Sequence, residues 1–114
     1  MIHTTTDDAG ITVIRPGFER LTAANAKAFK DDVTAIIEGG EAQLVVDFKD
    51  VSFVDSSGLG ALVGVLKKIG YRGDLAVSGL NADVAQMFKI CRMDRVFKTH
   101  ASVNDAVEKM AENL

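Results

Sequence analysis

The chain has 114 residues, 47% of them hydrophobic, which suits one domain with a packed core. Its formal net charge of -3 argues against a surface built to hold nucleic-acid phosphates, because that needs clustered cations. A single cysteine, Cys91, excludes an intrachain disulfide and calls for no oxidising compartment.

The first residues, Met1-Ile2-His3-Thr4-Thr5, lack the cationic start and apolar run of a secretion signal. No stretch approaches the ~18 consecutive apolar residues of a membrane span. A cytoplasmic location is the expectation. Ile2–Thr6 and Ile11–Arg15 read as strands, joined at Asp7-Asp8-Ala9-Gly10, whose glycine can take a positive φ. Pro16-Gly17 stops the second.

Ala23–Glu38 reads as a helix with Ala26, Phe29, Val33, Ile36 and Ile37 on one stripe, Thr22 as its N-cap and Gly39-Gly40 as its end. Leu44–Phe48 is nearly continuous in apolar residues, as expected of a strand covered on both faces. A second helix runs to about Ile69, its stripe being Leu59, Leu62, Val63, Leu66 and Ile69. Leu75–Val77 is a short strand. Asn81 opens a third helix with Val84, Met87, Phe88 and Cys91 facing inward, which makes Cys91 a buried structural thiol. Val96–Thr99 reads as an edge strand. Ser102, with Asp105 three residues on, caps a last helix that buries Val103, Ala106, Val107 and Met110.

Strands and helices alternate after an opening hairpin. That order predicts a single α/β domain over residues 1–114, a mixed sheet of four to five strands with about four helices packed against it.

The most informative segment is Val51–Val63, VSFVDSSGLGALV. A strand ends, small polar residues follow, and a helix begins. Asp55 and Ser56 are both good N-cap residues. The helix dipole favours a negative group here by ~0.3–1 kcal/mol, so a phosphate could be carried without unfolding the helix. Gly58, Gly60 and Gly64 each cost about 1 kcal/mol relative to alanine inside a helix. Gly64 reads as helix packing. Gly58 and Gly60 are open between packing and contact with a partner. Phe53 and Val54 are expected to anchor the loop in the core.

Phe53-Val54-Asp55-Ser56-Ser57-Gly58-Leu59-Gly60 resembles the signature of the STAS domain, specifically the single-domain anti-sigma-factor antagonists. Arg20–Ala26, Leu44–Phe48, Val96–Lys98 and Ser102–Val107 resemble other parts of that domain in the same order, so the likeness covers nearly the whole chain. The resemblance implies a STAS-type mixed sheet and a partner-switching cycle. In that cycle the unphosphorylated protein binds an anti-sigma factor that is also a serine kinase. Phosphorylation of Ser56 ends the binding, and a PP2C-type phosphatase reverses it. Asp55, Ser57, Gly58, Leu59, Gly60 and Thr22 are the implied partner contacts, and no cofactor is implied. Family members often carry an aspartate where this chain has Thr22.

Other functions fit less well. The hydrolase elbow G-x-S-x-G is absent, since Val54 and Asp55 occupy the position two before the serines. His3, Cys91 and His100 show no metal-ligand spacing, and Gly58-Leu59-Gly60 lacks the Gly-Lys-Ser/Thr end of a P-loop. The chain is therefore expected to be no enzyme. Lys89, Arg92, Arg95 and Lys98 form a basic cluster that reads as a solvated face. The alternative role is the STAS subunit of a lipid-transport ABC complex, or another regulatory binding module such as that of an anion transporter.

Overall fold

The computed structural model describes residues 2–114. It opens with the expected hairpin, β1 (His3–Thr6) antiparallel to β2 (Ile11–Arg15). Asp7 builds the turn: its Oδ1 accepts from the N–H groups of Ala9 at 2.9 Å and Ile11 at 3.0 Å. Gly10 takes φ +83°, a conformation that side chains resist.

A two-residue strand, β3 (Arg20–Leu21), precedes helix α1 (Ala26–Glu38). The helix starts later than the apolar stripe predicts, because Thr22–Asn25 form a turn of their own. The Thr22 carbonyl accepts from the N–H groups of Asn25 and Ala26, and the Asn25 side chain accepts from the Thr22 N–H. Thr22 is therefore not the N-cap; Asn25 holds that position.

The remaining elements are β4 (Gln43–Asp47), β5 (Phe53–Val54), α2 (Ser56–Ile69), β6 (Asp74–Ser78), α3 (Ala82–Ile90), β7 (Lys98–His100) and α4 (Val103–Glu112). Five strands form one sheet in the order β1-β2-β4-β6-β7, parallel from β2 onward. The mixed sheet of the sequence reading is thus present. On one face, Phe29 and Val33 of α1, Leu62 and Val65 of α2, and Val84 and Phe88 of α3 pack with Leu44, Val46 and Val77. On the other, Ala106 and Met110 of α4 cover Ile11, Val13, Val45 and Ala76. Leu44, Val45 and Val46 are all 0% exposed, the physical reason for an apolar residue at each position.

Two further local expectations are corrected. Cys91 is exposed. Helix α3 ends at Ile90, and Arg92 takes a left-handed φ of 59°, so the helical stripe stops before it can turn Cys91 inward. The last strand is Lys98–His100 rather than Val96–Thr99. A short 3₁₀ turn at Met93–Arg95 has the Met93 carbonyl accepting from both Val96 and Phe97, which keeps Val96 out of the sheet and exposed while Phe97 is buried. Finally, β3 and β5 pair in parallel, Arg20 with Phe53 and Leu21 with Val54. Two-residue strands carry too little alternation to be read from sequence. Among the described residues no helix is long and apolar enough to cross a membrane.

Candidate functional site

The β3–β5 pair brings the two loops of interest together. The Asp55 N–H donates to the Leu21 carbonyl at 3.1 Å, extending the pairing by one residue. Asp55 is extended and caps α2: its Oδ1 accepts from the Gly58 N–H at 2.9 Å. Its second oxygen, Oδ2, accepts from the Ala23 N–H at 3.2 Å. One carboxylate therefore closes the helix and ties it to the turn before α1. A cap of this type is worth about 0.5–2 kcal/mol.

Both of the candidate caps were named from sequence, and Asp55 takes the role. Ser56 and Ser57 are thereby left as the first two residues of the 14-residue helix α2, both exposed. Their hydroxyls stand where the N–H dipoles of the first turn favour negative charge. Thr22 is half-buried beside this site, with its Oγ1 accepting from the Ala24 N–H at 3.3 Å. It shapes the turn that presents Ala23 to Asp55.

The other predicted contacts divide by burial. Leu59 is only 4% exposed and belongs to the core, so it supports the surface from beneath. Phe53, expected as a core anchor, is 39% exposed and lies under the Arg20 guanidinium, 4.3 Å from ring centroid to Cζ. An exposed cation–π contact of this kind contributes about 0.5–1 kcal/mol. Val54 alone of that pair is buried. Arg20 and Ala23 are the parts of the site that sequence reading missed. Both lie in the Arg20–Ala26 stretch that carries part of the resemblance, but their roles come from pairing across the chain.

The glycines can now be separated. A Cβ on Gly58 would sit 2.6 Å from the Leu21 carbonyl oxygen and 2.9 Å from a Val54 methyl, so Gly58 is needed for close packing of α2 on β3. A Cβ on Gly64 would meet the Lys30 side chain, which is flexible. A Cβ on Gly60 meets nothing within 4 Å. Gly60 thus costs helix stability and returns no packing among the described residues. Gly60→Ala is expected to raise unfolding free energy by about 1 kcal/mol in a denaturant titration. A variant no more stable than the native chain would mean that the glycine serves the fold.

Ser56 and the two histidines stand on separate elements, with His3 in β1 and His100 in β7 beside Ser78. Of the basic cluster, Lys98 is engaged with Asp74 at 2.6 Å, while Lys89, Arg92 and Arg95 are exposed around the end of α3.

This arrangement has counterparts among known proteins. The STAS domain profile matches residues 4–106. The anti-sigma-F factor antagonist RsfB of Mycobacterium tuberculosis is 24% identical over 104 residues, covering 91% of this chain and 84% of its own. A Thermotoga maritima crystal structure, provisionally named an anti-sigma factor antagonist, superposes with a TM-score of 0.85 at 26% identity, over 96% of this chain and 94% of that one. The Bacillus cell fate determinant SpoIIAA in its phosphorylated form shares the fold, with a TM-score of 0.71 at 20% identity over 96% and 98% of the two chains. With its signature segment, sheet order and helix arrangement all in place, this chain belongs to the STAS domain family.

Proposed function

We propose that this chain is an anti-sigma-factor antagonist that works by partner switching and performs no catalysis itself. The observation that carries the reading is the double duty of Asp55. Its carboxylate caps α2 and holds the Ala23 turn, and Ser56 stays exposed at the positive end of the helix with no capping task. In the unphosphorylated state, Ser56, Ser57, Gly60 and the Thr22 turn offer a nearly neutral, low-relief surface to an anti-sigma factor that is also a serine kinase. Asp55, Gly58 and Leu59 set that surface from below.

The kinase transfers the γ-phosphoryl group of ATP to the Ser56 Oγ. The oxygen–phosphorus bond forms as the bridging bond to ADP breaks, and the hydroxyl proton leaves. The product carries about 1.5–2 added negative charges at pH 7. The neighbouring Asp55 carboxylate adds to them. A partner surface fitted to a hydroxyl then meets repulsion and desolvation, which can cost several kcal/mol. A PP2C-type phosphatase restores the hydroxyl. The relatives support this reading: one is named an anti-sigma-F factor antagonist, and SpoIIAA has a structure in a phosphorylated form.

Intact mass spectrometry of the protein from its native cells, before and after PP2C-type phosphatase, tests the proposal. One phosphate localised to Ser56 and removed by the enzyme is the expected result. An unmodified Ser56 under growth and stress alike would overturn the switch and favour a constitutive binding module, such as the subunit of a lipid-transport ABC complex.

A further inference from the structure

Ser78, the last residue of β6, has no solvent exposure, and its Oγ makes no hydrogen bond among the described residues. Folded proteins leave few buried hydroxyls in that state, and each calls for a cause. The strand fixes its direction. Ala76 packs with α4 and Val77 with the opposite layer, so alternation turns Ser78 to the α4 face. Asp47 of β4 and His100 of β7 flank it in register. Asp47 and Gly79, its neighbours across and along the chain, line a groove of about 410 Å³ together with Ser102, Val103 and Asn104. The Ser78 hydroxyl therefore lies beneath the first turn of the 10-residue helix α4, at the floor of that groove. The groove opens at the carboxyl ends of the parallel strands, where ligands of such sheets collect.

Several polar groups of the groove are already engaged. Asp47 Oδ1 accepts from the Lys49 N–H at 3.0 Å, and its Oδ2 faces the Arg15 Nε at 3.9 Å. The Ser102 side chain accepts from the Asp105 N–H at 3.1 Å. The Val103 and Asn104 N–H groups, the Lys49 ammonium and the Asp50 carboxylate have no partner among the described residues. Arg15 and Lys49 balance Asp47 and Asp50 in formal charge, so the lining favours neither a simple anion nor a simple cation. Its unengaged groups are one cation beside the positive end of a helix, and one anion. Their complement is a ligand that carries both signs.

We infer that this groove binds a small zwitterion of the α-amino-acid type. Its carboxylate takes the N–H groups of Val103 and Asn104 beside Lys49, since a helix N-terminus is a ready site for anionic oxygens. Its ammonium group takes Asp50. As the carboxylate seats, the first turn of α4 shifts outward and the Ser78 hydroxyl donates to it. Helix α4 buries only Ala106 and Met110 fully, so this turn is lightly held. Asp47 and Asp50 discriminate against a dianionic phosphate by repulsion.

The test is a nuclear magnetic resonance titration of the isotope-labelled full chain with L-alanine, acetate, methylammonium and inorganic phosphate at constant ionic strength. L-alanine is expected to shift the Val103 and Asn104 amide resonances saturably, with a Kd in the low millimolar range, and the other three to bind at least fivefold more weakly. Lys49→Ala and Asp50→Asn should each weaken L-alanine at least fivefold with unchanged thermal melts, since both side chains are exposed. Ser78→Ala should weaken it at least threefold while its melting temperature holds or rises, because alanine leaves no unpaired hydroxyl in the core. A hydroxyl that served only the fold would move these two readouts the other way. No saturable shift, or acetate, methylammonium or phosphate binding as tightly as L-alanine, would overturn the inference. So would native affinity in Lys49→Ala or Asp50→Asn, or a Ser78→Ala chain that binds L-alanine normally or melts clearly lower.

Discussion

Ser56→Asp is expected to bind the kinase partner at least about a hundredfold more weakly than the native chain, with no loss of fold. A hundredfold corresponds to about 2.8 kcal/mol, and an uncompensated like-charge contact in an interface reaches several kcal/mol. The same carboxylate is tolerated within the chain itself. Position 56 begins α2, where the helix dipole favours negative charge by about 0.3–1 kcal/mol. The melting temperature should therefore hold or rise slightly while affinity collapses. Ser56→Ala supplies the complement: it should bind normally and resist phosphorylation. Isothermal titration with the partner, alongside thermal melts of the three proteins, separates these effects. Ser56→Asp binding as tightly as the native chain would sink the electrostatic switch.

Gly58→Ala should have the opposite profile, a fold defect at a buried residue two positions from the exposed Ser56. The added methyl meets the Leu21 carbonyl oxygen at 2.6 Å and the Leu21 Cγ at 2.8 Å. The carbonyl cannot move freely, because it accepts the Asp55 N–H that aligns the signature loop. Overpacking of this kind costs typically 1–3 kcal/mol, and the better helix propensity of alanine returns about 1 kcal/mol. A net destabilisation of up to about 2 kcal/mol is expected, a fall in melting temperature of up to roughly 8–16 °C for a domain of this size. Chemical denaturation of Gly58→Ala beside Gly60→Ala is the direct comparison. The first should unfold earlier than the native chain and the second later. If both moved in the same direction, the division of the two glycines into a packing residue and a surface residue would be wrong.

Much of the fold was legible because its causes are local or periodic. The stripe Phe29, Val33 and Ile37 forms the buried face of α1, and the apolar run at Leu44–Val46 lies between two layers of helices. Ser102 caps α4 by accepting from the Asp105 N–H, as the spacing predicts. Periodicity failed where a segment was too short or changed its geometry. Cys91 continues the apolar stripe of α3 in sequence, but the helix has ended before it. Phe53 looks like a strand residue bound for the core, yet its two-residue strand turns it toward Arg20 and solvent.

The candidate site divides in the same way. Sequence by itself pointed to the family through the resemblance of its signature segment, and it determined the layered α/β architecture and the strand-to-helix turn that carries Asp55 and Ser56, because these last two follow from residue type and spacing along the chain. Only the tertiary structure decided which residue caps α2, why Gly58 is required and Gly60 is not, and how Thr22 reaches the site. Those outcomes depend on contacts between segments far apart in the chain. The Asp55–Ala23 hydrogen bond spans 32 residues, and the Leu21–Gly58 approach exists only because β3 pairs with β5. No pattern along the chain encodes such a meeting; it is set when the sheet and helices pack and bring the two loops within hydrogen-bonding distance.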